Sequence, residues 1–276
     1  MSTQSGAQIS RPVVAITGAS SGIGAAFARK LALGHDFVLI ARRADKLEQL
    51  AHELALEYGS RATVLQADLS QERDLAMVAE TLEANDRLAL LVNNAGFGTK
   101  GLFWEASLES QERMHQLHIT ATMRLSHVAL RNMVSRDSGA LINVSSVAAF
   151  VRGVGSASYC ATKSWMAVFS EALHLELRSI GSKVYVQALC PGYTYSEFHD
   201  AMGANRKQLA PAAMWRSAEQ VVDAALRGMH KRRFLVVPGW HYRILSSLLP
   251  KIPVALRITL ELAEWKRWYK RRRLRT

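Results

Sequence analysis

A chain of 276 residues, of which 49% are hydrophobic and 21% are charged, is long enough to bury one large core, so general disorder is excluded. Its only cysteines, Cys160 and Cys190, exclude a disulfide framework, fit a reducing compartment and have no metal-ligand spacing. The formal charge of +12 is unevenly distributed, because seven of the 35 Lys and Arg residues lie between residues 266 and 275.

The first eleven residues are polar and are predicted to be a disordered lead-in without a signal peptide. No uncharged apolar run of about 18 residues occurs, so we expect no membrane-spanning helix. Together these features predict a cytoplasmic protein.

The first strand is predicted at residues 13–17, where β-branched apolar residues lead into a glycine-rich turn and a helix. Gly18, Gly22 and Gly24 allow the backbone to approach a pyrophosphate closely. The following helix presents its N-H groups and the positive end of its dipole there. This stretch predicts a dinucleotide-binding turn, although a glycine-rich turn without a ligand would have the same composition.

A second strand, at residues 37–43, ends in Arg42 and Arg43. In a dinucleotide fold this strand ends beside the adenosine ribose, where an acidic residue binds the 2′-hydroxyl and an arginine accommodates a 2′-phosphate. Ile40 and Ala41 offer no acid, so Arg42, with Arg43 as a further candidate, predicts NADP(H) as the cofactor. Solvated loop arginines are the alternative.

Polar residues also end the next two predicted strands. Asp68 follows the third strand and is expected either to cap a turn or to accept a hydrogen bond from adenine. Asn93 and Asn94 end the fourth strand, at residues 87–96, where unpaired amides would be costly. They should therefore either brace the edge of the sheet or touch the cofactor. We favour bracing, while Gly96 keeps the floor of the cleft open.

A long helix is predicted from residue 107 to residue 134, followed by strands at 139–146, 183–192 and 234–239. Regular alternation of strands and helices predicts an α/β fold, a doubly wound parallel sheet (Rossmann) of about seven strands, with a C-terminal helical extension. Ligands of such sheets lie beyond the carboxyl ends of the strands, where all these candidate residues fall.

Tyr159 and Lys163 lie four residues apart, so on a helix both side chains point to one face. A neighbouring ammonium favours the phenolate, and we therefore expect it to lower the pKa of Tyr159 toward the range of general acid–base catalysis. Ser146 is a candidate to hold the substrate oxygen. An isolated pair with this spacing would usually be a surface pair.

Over roughly residues 12–240 the chain resembles the short-chain dehydrogenase/reductase family, through TGASSGIG, Asp68-Leu69, NNAG, INVSS, YCATK and CPG in that order. The resemblance implies a nicotinamide cofactor and interconversion of an alcohol and a carbonyl. It implies Tyr159 as the acid/base, Lys163 as the residue that lowers its pKa and binds the nicotinamide ribose, and Ser146 as the residue that polarises the substrate oxygen. The expected cofactor contacts are Gly18, Ser20, Ser21, Gly22, Ile23, Gly24, Arg42, Asp68, Leu69, Asn94, Ala95, Gly96, Tyr159, Lys163, Pro191, Gly192 and Thr194.

Two positions depart from the family's pattern. His118 stands where similar proteins usually carry an asparagine of a proton relay, so it either replaces that relay residue or is a satisfied core histidine. After Pro191 and Gly192, both Thr194 and Ser196 are candidates for the hydroxyl over the cofactor amide.

The segment after Gly192 contains Tyr193, Phe198, Met202, Met214 and Trp215, which predicts a hydrophobic substrate. Packing of a long loop is the alternative. The runner-up activity is reduction of a 3-oxoacyl thioester, with Lys231–Arg233 meeting the phosphates of an acidic carrier. A nonenzymatic NADP-binding regulator is the main competitor outside the enzymes, and a homo-oligomer is expected.

Residues 240–276 extend beyond the expected catalytic domain at 12–239. Pro250 and Pro253 divide this extension, and an amphipathic helix with Leu256, Leu260, Trp265 and Trp268 near one side precedes a basic end. Such a helix suits the headgroup layer of an anionic membrane, so peripheral membrane contact is one interpretation. A helix packed on the domain or on a partner subunit is the other. No nucleic-acid reading motif accompanies the charge, so no nucleic-acid partner is expected.

Overall fold

A computed structural model describes residues 11–99, 101–198 and 209–273 of the chain, without the side chains of residue 264 and of residues 267–273. The predicted lead-in up to residue 10, the candidate substrate contact Met202 and the last three residues lie outside this description. So do the side chains of most of the basic C-terminal end.

The predicted doubly wound sheet is confirmed: seven parallel strands lie in the order β3-β2-β1-β4-β5-β6-β9, with helices on both faces. These strands are β1 Val13–Thr17, β2 Asp36–Ala41, β3 Ala62–Gln66, β4 Leu88–Asn93, β5 Ala140–Val144, β6 Tyr185–Leu189 and β9 Leu235–Val236. Two short strands, β7 Thr194–Tyr195 and β8 Arg216–Ser217, pair separately. The helices are α1 Gly22–Leu31, α2 Ala44–Tyr58, α3 Glu72–Glu83, α4 Leu108–His115, α5 Thr122–Ser135, α6 Ala157–Ser179, α7 Ala218–His230, α8 Trp240–Leu248 and α9 Val254–Arg273.

The central strand β1 shows why the sheet is buried on both faces. Its Val14 and Ile16 pack into one apolar cluster with residues of α1, α2 and α7. The alternate residues Val13 and Ala15 pack into a second cluster with residues of α3, α5 and α6. Successive side chains of a strand point to opposite faces of the sheet. A strand that is covered by helices on both faces therefore needs apolar residues at every position.

Several element boundaries differ from the sequence-based expectation. Strand β2 ends at Ala41, so Arg42 and Arg43 lie in the loop before α2. Strand β3 ends at Gln66, which leaves Asp68 in the turn before α3. The last strand of the sheet is only two residues long. The polar residues that were expected at the ends of strands therefore lie in the turns that follow those strands.

The expected single helix over residues 107–134 is divided into α4, a π-helical turn at Gln116–Ala121 and α5. Its apolar spacing is compatible with an uninterrupted α-helix, so the spacing did not reveal the turn. Such turns are rare in proteins, and those that do occur are often found at functional sites. This one contains His118, which is fully buried.

The C-terminal segment packs on the catalytic domain at two places. Tyr242 of α8 is 2% exposed and joins a third apolar cluster with Ala188, Cys190 and Val237. In α9, the Glu261 carboxylate accepts a hydrogen bond of 3.1 Å from the Arg152 backbone N-H. Among the described residues, no helix has the length and apolar content needed to cross a membrane.

Candidate active site

The glycine-rich turn between β1 and α1 forms a cradle at the carboxyl edge of the sheet. Gly18 and Gly22 have φ of +67° and +54°, in the left-handed region that favours glycine. A Cβ on Gly24 would collide with the carbonyl oxygen of Gly18. The first turn of α1, which begins in this cradle at Gly22, carries no acidic side chain that would neutralise the positive end of the helix dipole. A dinucleotide pyrophosphate fits this arrangement, since it needs close backbone approach and N-H donors.

Asn94 braces this cradle from the neighbouring strand. Its side-chain amide donates to the carbonyl oxygens of Thr17 at 2.9 Å and Gly18 at 3.2 Å. The Thr17 hydroxyl accepts from the backbone N-H groups of Asn94 and Ala95, both at 2.9 Å. The expected bracing role of Asn94 therefore agrees with the hydrogen bonds of the structure.

Asn93 faces the sheet interior instead. Its amide donates to the Asn143 side chain at 2.9 Å and to the Ser126 hydroxyl at 3.0 Å. The Asn143 amide in turn donates to the Ser170 hydroxyl at 2.9 Å. This buried chain of polar groups links β4 and β5 to α5 and α6, and it satisfies the amides whose burial would otherwise be costly.

Asp68 caps the turn after β3. One carboxylate oxygen accepts from the Ser70 N-H at 3.1 Å and from its hydroxyl at 2.7 Å. Burial alone would raise the pKa of Asp68, but the Ser70 hydrogen bonds and the charges of Arg42 and Arg113 hold this pKa below its usual value. Asp68 is therefore ionised at neutral pH, and of its two expected roles the structure shows the turn cap.

The two loop arginines have different surroundings. Arg43 donates to the Ser20 hydroxyl of the glycine-rich turn at 3.0 Å and to the Glu197 carboxylate at 2.7 Å. Arg42 is exposed, and its charge acts on Asp68. Of the two, Arg43 makes the direct contact with the dinucleotide-binding turn, although sequence reasoning placed more weight on Arg42.

Ser146, Tyr159 and Lys163 meet at the carboxyl end of β5. The Ser146 side chain is close enough to the Tyr159 phenol to lower its pKa, and its hydroxyl donates to the Pro191 carbonyl oxygen at 3.4 Å. The Lys163 amine lies 5.9 Å from the centre of the Tyr159 ring and donates to the Val144 carbonyl oxygen at 3.0 Å. It also borders the floor of the cleft, since a Cβ on Gly96 would lie 3.6 Å from Lys163 Nζ. The structure thus brings the three expected catalytic side chains together.

The expected acidification of Tyr159 is wrong for the cofactor-free site. Burial raises the pKa of Tyr159 to about 12, and the nearby Ser146 side chain only partly opposes this. Burial also lowers the pKa of Lys163 to about 7. Loss of hydration disfavours the charged form of either group. The phenol therefore retains its proton at neutral pH.

His118 has a defined set of hydrogen bonds. The Phe97 backbone N-H donates to its Nε2 at 3.3 Å, so the Nδ1 proton points to the Thr162 hydroxyl at 3.0 Å. Thr162 donates onward to the Tyr159 carbonyl oxygen at 3.0 Å. Burial, followed by the charges of Lys163 and His115, lowers the pKa of His118 well below its usual value. His118 is therefore a neutral link between the loop after β4 and the helix that carries Tyr159.

The turn after β6 separates the two candidate hydroxyls. Thr194 is buried, and its hydroxyl donates to the Gly192 carbonyl oxygen at 3.1 Å. Ser196 instead lies against the glycine-rich turn, because a Cβ on Gly22 would be 2.9 Å from Ser196 Cβ. The two candidate hydroxyls therefore differ in their neighbours, and both stay candidates for a contact with the cofactor.

Sequence reasoning missed Tyr242 as a part of the site. Its ring packs against Gly192, where an added Cβ would collide with it. Its hydroxyl accepts from the Tyr193 N-H at 3.1 Å and donates to the Met214 carbonyl oxygen at 3.0 Å. Tyr242 lies in the C-terminal extension, beyond the family motifs. The only sequence signal for its role is that it is an aromatic residue in that extension.

The segment after Gly192 carries four aromatic residues, Tyr193, Tyr195, Phe198 and Trp215, which we call the aromatic wall. Trp215 lies 5.3 Å from Tyr193 and 5.0 Å from Tyr195, measured between ring centres. Phe198 lies 5.9 Å from the ring of Tyr159.

The basic cluster Lys231–Arg233 lies elsewhere in the fold. It precedes β9, and Arg232 donates to the carbonyl oxygen of Lys183, before β6. This basic cluster is at the amino edge of the sheet, opposite the catalytic groups.

The described residues contain no group of three or more His, Cys, Asp or Glu side chains placed to hold a metal ion. Both cysteines are buried and unpaired.

Comparison with known proteins agrees with this geometry. The sequence model of the family described as short chain dehydrogenase matches residues 12–207. A short-chain dehydrogenase from Sphingobium yanoikuyae in complex with NADPH is 38% identical, with a TM-score of 0.79 over 83% of this chain and 88% of that chain. The bulky-bulky ketone specific alcohol dehydrogenase from Comamonas testosteroni is 33% identical, with a TM-score of 0.74 over 88% of this chain and 96% of that chain.

Among curated proteins, a 3-oxoacyl-(acyl-carrier-protein) reductase from Aquifex aeolicus is 30% identical over 217 residues, which are 76% of this chain and 87% of the relative. The family match covers most of the chain and includes the cradle together with Ser146, Tyr159 and Lys163. The chain therefore belongs to the short-chain dehydrogenase/reductase family of nicotinamide-dependent oxidoreductases.

Proposed function

We propose that the protein is an NADP(H)-dependent reductase of a hydrophobic ketone or aldehyde, with Tyr159 as the proton donor. The observation that carries the proposal is the convergence of Ser146, Tyr159 and Lys163 on the edge of the sheet that carries the glycine cradle. A sensor of cofactor would not need this group of side chains, so an enzyme is favoured over a nonenzymatic NADP-binding regulator.

We propose the reductive direction because the protonation of the site is suited to it. When bound in the cradle, NADPH would supply the hydride for the carbonyl carbon. Tyr159 keeps its proton at neutral pH because its pKa is raised to about 12, so it can donate that proton to the carbonyl oxygen. Ser146 donates a hydrogen bond to the same oxygen as its charge develops, and the Lys163 ammonium stabilises the phenolate that remains.

NADP(H) is favoured by the loop after β2. Arg42 and Arg43 provide two cations there, and Arg43 contacts Ser20 of the cradle. Neither Ile40 nor Ala41 supplies the acid that would bind a free ribose hydroxyl. The similarity to a dehydrogenase solved with NADPH supports the same cofactor.

A hydrophobic substrate is supported by the aromatic wall of Tyr193, Tyr195, Phe198 and Trp215. The resemblance to an alcohol dehydrogenase named for bulky-bulky ketones points in the same direction. Reduction of a 3-oxoacyl thioester remains the second candidate because a relative carries that name. The expected carrier contact at Lys231–Arg233 no longer supports it, since a carrier there would face the wrong edge of the sheet.

A carbonyl panel tests the proposal. Oxidation of NADPH and of NADH is followed spectroscopically with hydrophobic ketones, aldehydes, steroid ketones and 3-oxoacyl thioesters. We expect turnover of hydrophobic ketones or aldehydes with a preference for NADPH. Turnover of thioesters alone would favour the second candidate, and dinucleotide binding without any turnover would favour a regulator.

We also propose that the protein is cytoplasmic and makes peripheral contact with an anionic membrane through α8 and α9. Trp240, Ile244 and Leu248 lie on one face of α8 and are 64%, 51% and 56% exposed. No acidic residue occurs from residue 240 to residue 260, whereas Arg243, Lys251 and Arg257 are basic. An apolar helix face with tryptophan and basic neighbours suits the headgroup layer of anionic lipid.

Flotation with liposomes tests this contact. Serine at Trp240, Ile244 and Leu248 together should abolish co-flotation with vesicles that contain phosphatidylserine, while Leu33→Ser, a change at a residue that is 83% exposed elsewhere, should not. Equal flotation of both variants would contradict the proposal. These substitutions spare Tyr242, so the test keeps the folded domain.

A homo-oligomer is proposed from exposed apolar residues on α6 and α5, outside the C-terminal extension. Met123, Val168 and Leu175 are 48%, 65% and 61% exposed. Burial of such residues against a second copy would remove apolar area from water. Light scattering after size exclusion should give a multiple of the chain mass, and Val168→Asp with Leu175→Asp should lower it.

A further inference from the structure

Three successive residues after β7 each contact a different part of the cleft. Ser196 lies against Gly22 of the cradle. The Glu197 carboxylate accepts a hydrogen bond from Arg43 at 2.7 Å. Phe198 lies 5.9 Å from Tyr159 between ring centres. This short segment therefore connects the dinucleotide side of the cleft with the catalytic tyrosine.

The surroundings of Glu197 are those of an anion-binding site. Arg43 Nη2 contacts the carboxylate and at the same time donates to the Ser20 hydroxyl at 3.0 Å. The Arg43 hydrogen bond, opposed by burial and assisted by the Ser21 side chain and the charge of Lys46, holds the pKa of Glu197 below its usual value. The carboxylate is therefore ionised at neutral pH. A guanidinium and hydroxyl groups at a helix start are also the donors that a phosphate monoester uses.

We propose that Glu197 competes with the 2′-phosphate of the dinucleotide for Arg43 and thereby tunes the choice between NADP(H) and NAD(H). The proposal rests on the function proposed above. NAD(H), which has a free 2′-hydroxyl on its adenosine ribose, leaves the ion pair between Glu197 and Arg43 intact. A 2′-phosphate must either displace the carboxylate or share one guanidinium with it, and each alternative weakens binding.

The size of this effect is limited by solvent. The Arg43 and Glu197 side chains are 43% and 56% exposed, so their ion pair is screened by water and salt. Exposed ion pairs contribute little, and the expected change in affinity is roughly three- to fivefold. The direction of the change in NADPH affinity distinguishes competition from a role in which Glu197 holds Arg43 in place for the phosphate. If Glu197 competes, removal of its charge should tighten NADPH binding.

The test is a fluorescence titration of the full chain with NADPH and with NADH, in the absence of substrate. Glu197→Gln should lower the dissociation constant of NADPH roughly three- to fivefold and leave that of NADH unchanged. Glu57→Gln is the matched control, because it makes the same charge change at an exposed residue near the far end of α2. It should change neither constant.

A double-mutant cycle identifies the partner. In an Arg43→Gln background, NADPH binding should be weaker and Glu197→Gln should have no further effect, because the contested cation is absent. The proposal is overturned if Glu197→Gln fails to tighten NADPH binding, changes both dinucleotides equally, or acts without Arg43.

The outcome is separable from that of the proposed function. A wild-type protein that prefers NADH would refute the proposed cofactor, but Glu197→Gln would still have to shift the ratio toward NADPH. A wild-type protein that reduces carbonyls with NADPH but shows none of these shifts would refute only the role of Glu197. Binding of neither dinucleotide would overturn both.

Discussion

The two sides of the cleft are built in different ways. On the dinucleotide side, the cradle is braced by Thr17 and Asn94, which lie at the ends of adjacent strands. On the substrate side, Gly192, Tyr193 and Met214 are held by Tyr242, a residue of a helix that follows the last strand of the sheet. The first side depends on motifs at strand ends, and the second depends on one long-range aromatic contact.

The comparison implies that changes at the catalytic group and changes at Tyr242 should have separable effects. Tyr159→Phe removes the proton donor but preserves the ring that contacts Phe198. We expect turnover to fall by about 10²- to 10⁴-fold, with dinucleotide affinity retained. Steady-state kinetics on an established carbonyl substrate, together with dinucleotide titration, measure the two effects. Tyr58→Phe, at an exposed residue, is the control, and near wild-type turnover of Tyr159→Phe would refute the assignment.

Tyr242 is the corresponding residue on the substrate side. Tyr242→Ala removes a buried ring and should reduce the free energy of unfolding by about 3 to 5 kcal/mol, measured by chemical denaturation. Tyr242→Phe keeps the ring but loses the bonds to Tyr193 and Met214, and should cost about 1 to 3 kcal/mol. We expect Tyr242→Phe to raise KM for the carbonyl substrate while dinucleotide affinity stays unchanged. A change confined to dinucleotide affinity would contradict the division of the cleft.

Lys163 offers a trade-off between stability and catalysis. Burial lowers its pKa from 10.5 to about 7, so folding is opposed most strongly at and below pH 7, where the buried amine carries its proton. This cost declines as the pH rises from 7 toward 10.5. Lys163→Met should therefore stabilise the cofactor-free protein by about 1 to 3 kcal/mol near pH 7 and abolish most turnover.

Denaturation at several pH values measures this trade-off. The stability difference between Lys163→Met and the wild-type protein should shrink between pH 7 and pH 10.5. Lys183→Met, at an exposed lysine, should show no comparable trend. A variant that is less stable than the wild-type protein at pH 7 would show that the bond from Lys163 to the Val144 carbonyl outweighs the cost of burial.

The smallest expected effect concerns His118. Because Phe97 donates to Nε2, protonation of His118 would place two donors against each other next to Lys163. Nitrogen NMR of the imidazole should therefore show the neutral Nδ1-H form from pH 8 down to pH 5. His118→Asn should shift KM and kcat modestly without removing an ionisation from the pH profile. An imidazolium signal near pH 6 would contradict the neutral link.

Much of the fold followed from local pattern. The apolar run Val13–Thr17 predicts a strand that is buried on both faces, and both faces of β1 do pack against helices. The glycines that follow it predict a tight turn, and Gly18 and Gly22 have positive φ there. The π-helical turn at Gln116–Ala121 did not follow, since its apolar residues keep a helical spacing. The difference between Thr194 and Ser196 also needed the fold, because both hydroxyls lie on one short segment and differ only in what surrounds them.

The sequence by itself determined the dinucleotide cradle, the order of strands and helices, and the trio of Ser146, Tyr159 and Lys163, because each depends on residues close together in the chain or at strand ends. Only the tertiary structure decided the protonation of Tyr159 and Lys163, the pairing of Arg43 with Glu197, and the support that Tyr242 gives to Gly192. Burial and long-range contact set these properties, and both arise when distant segments pack together.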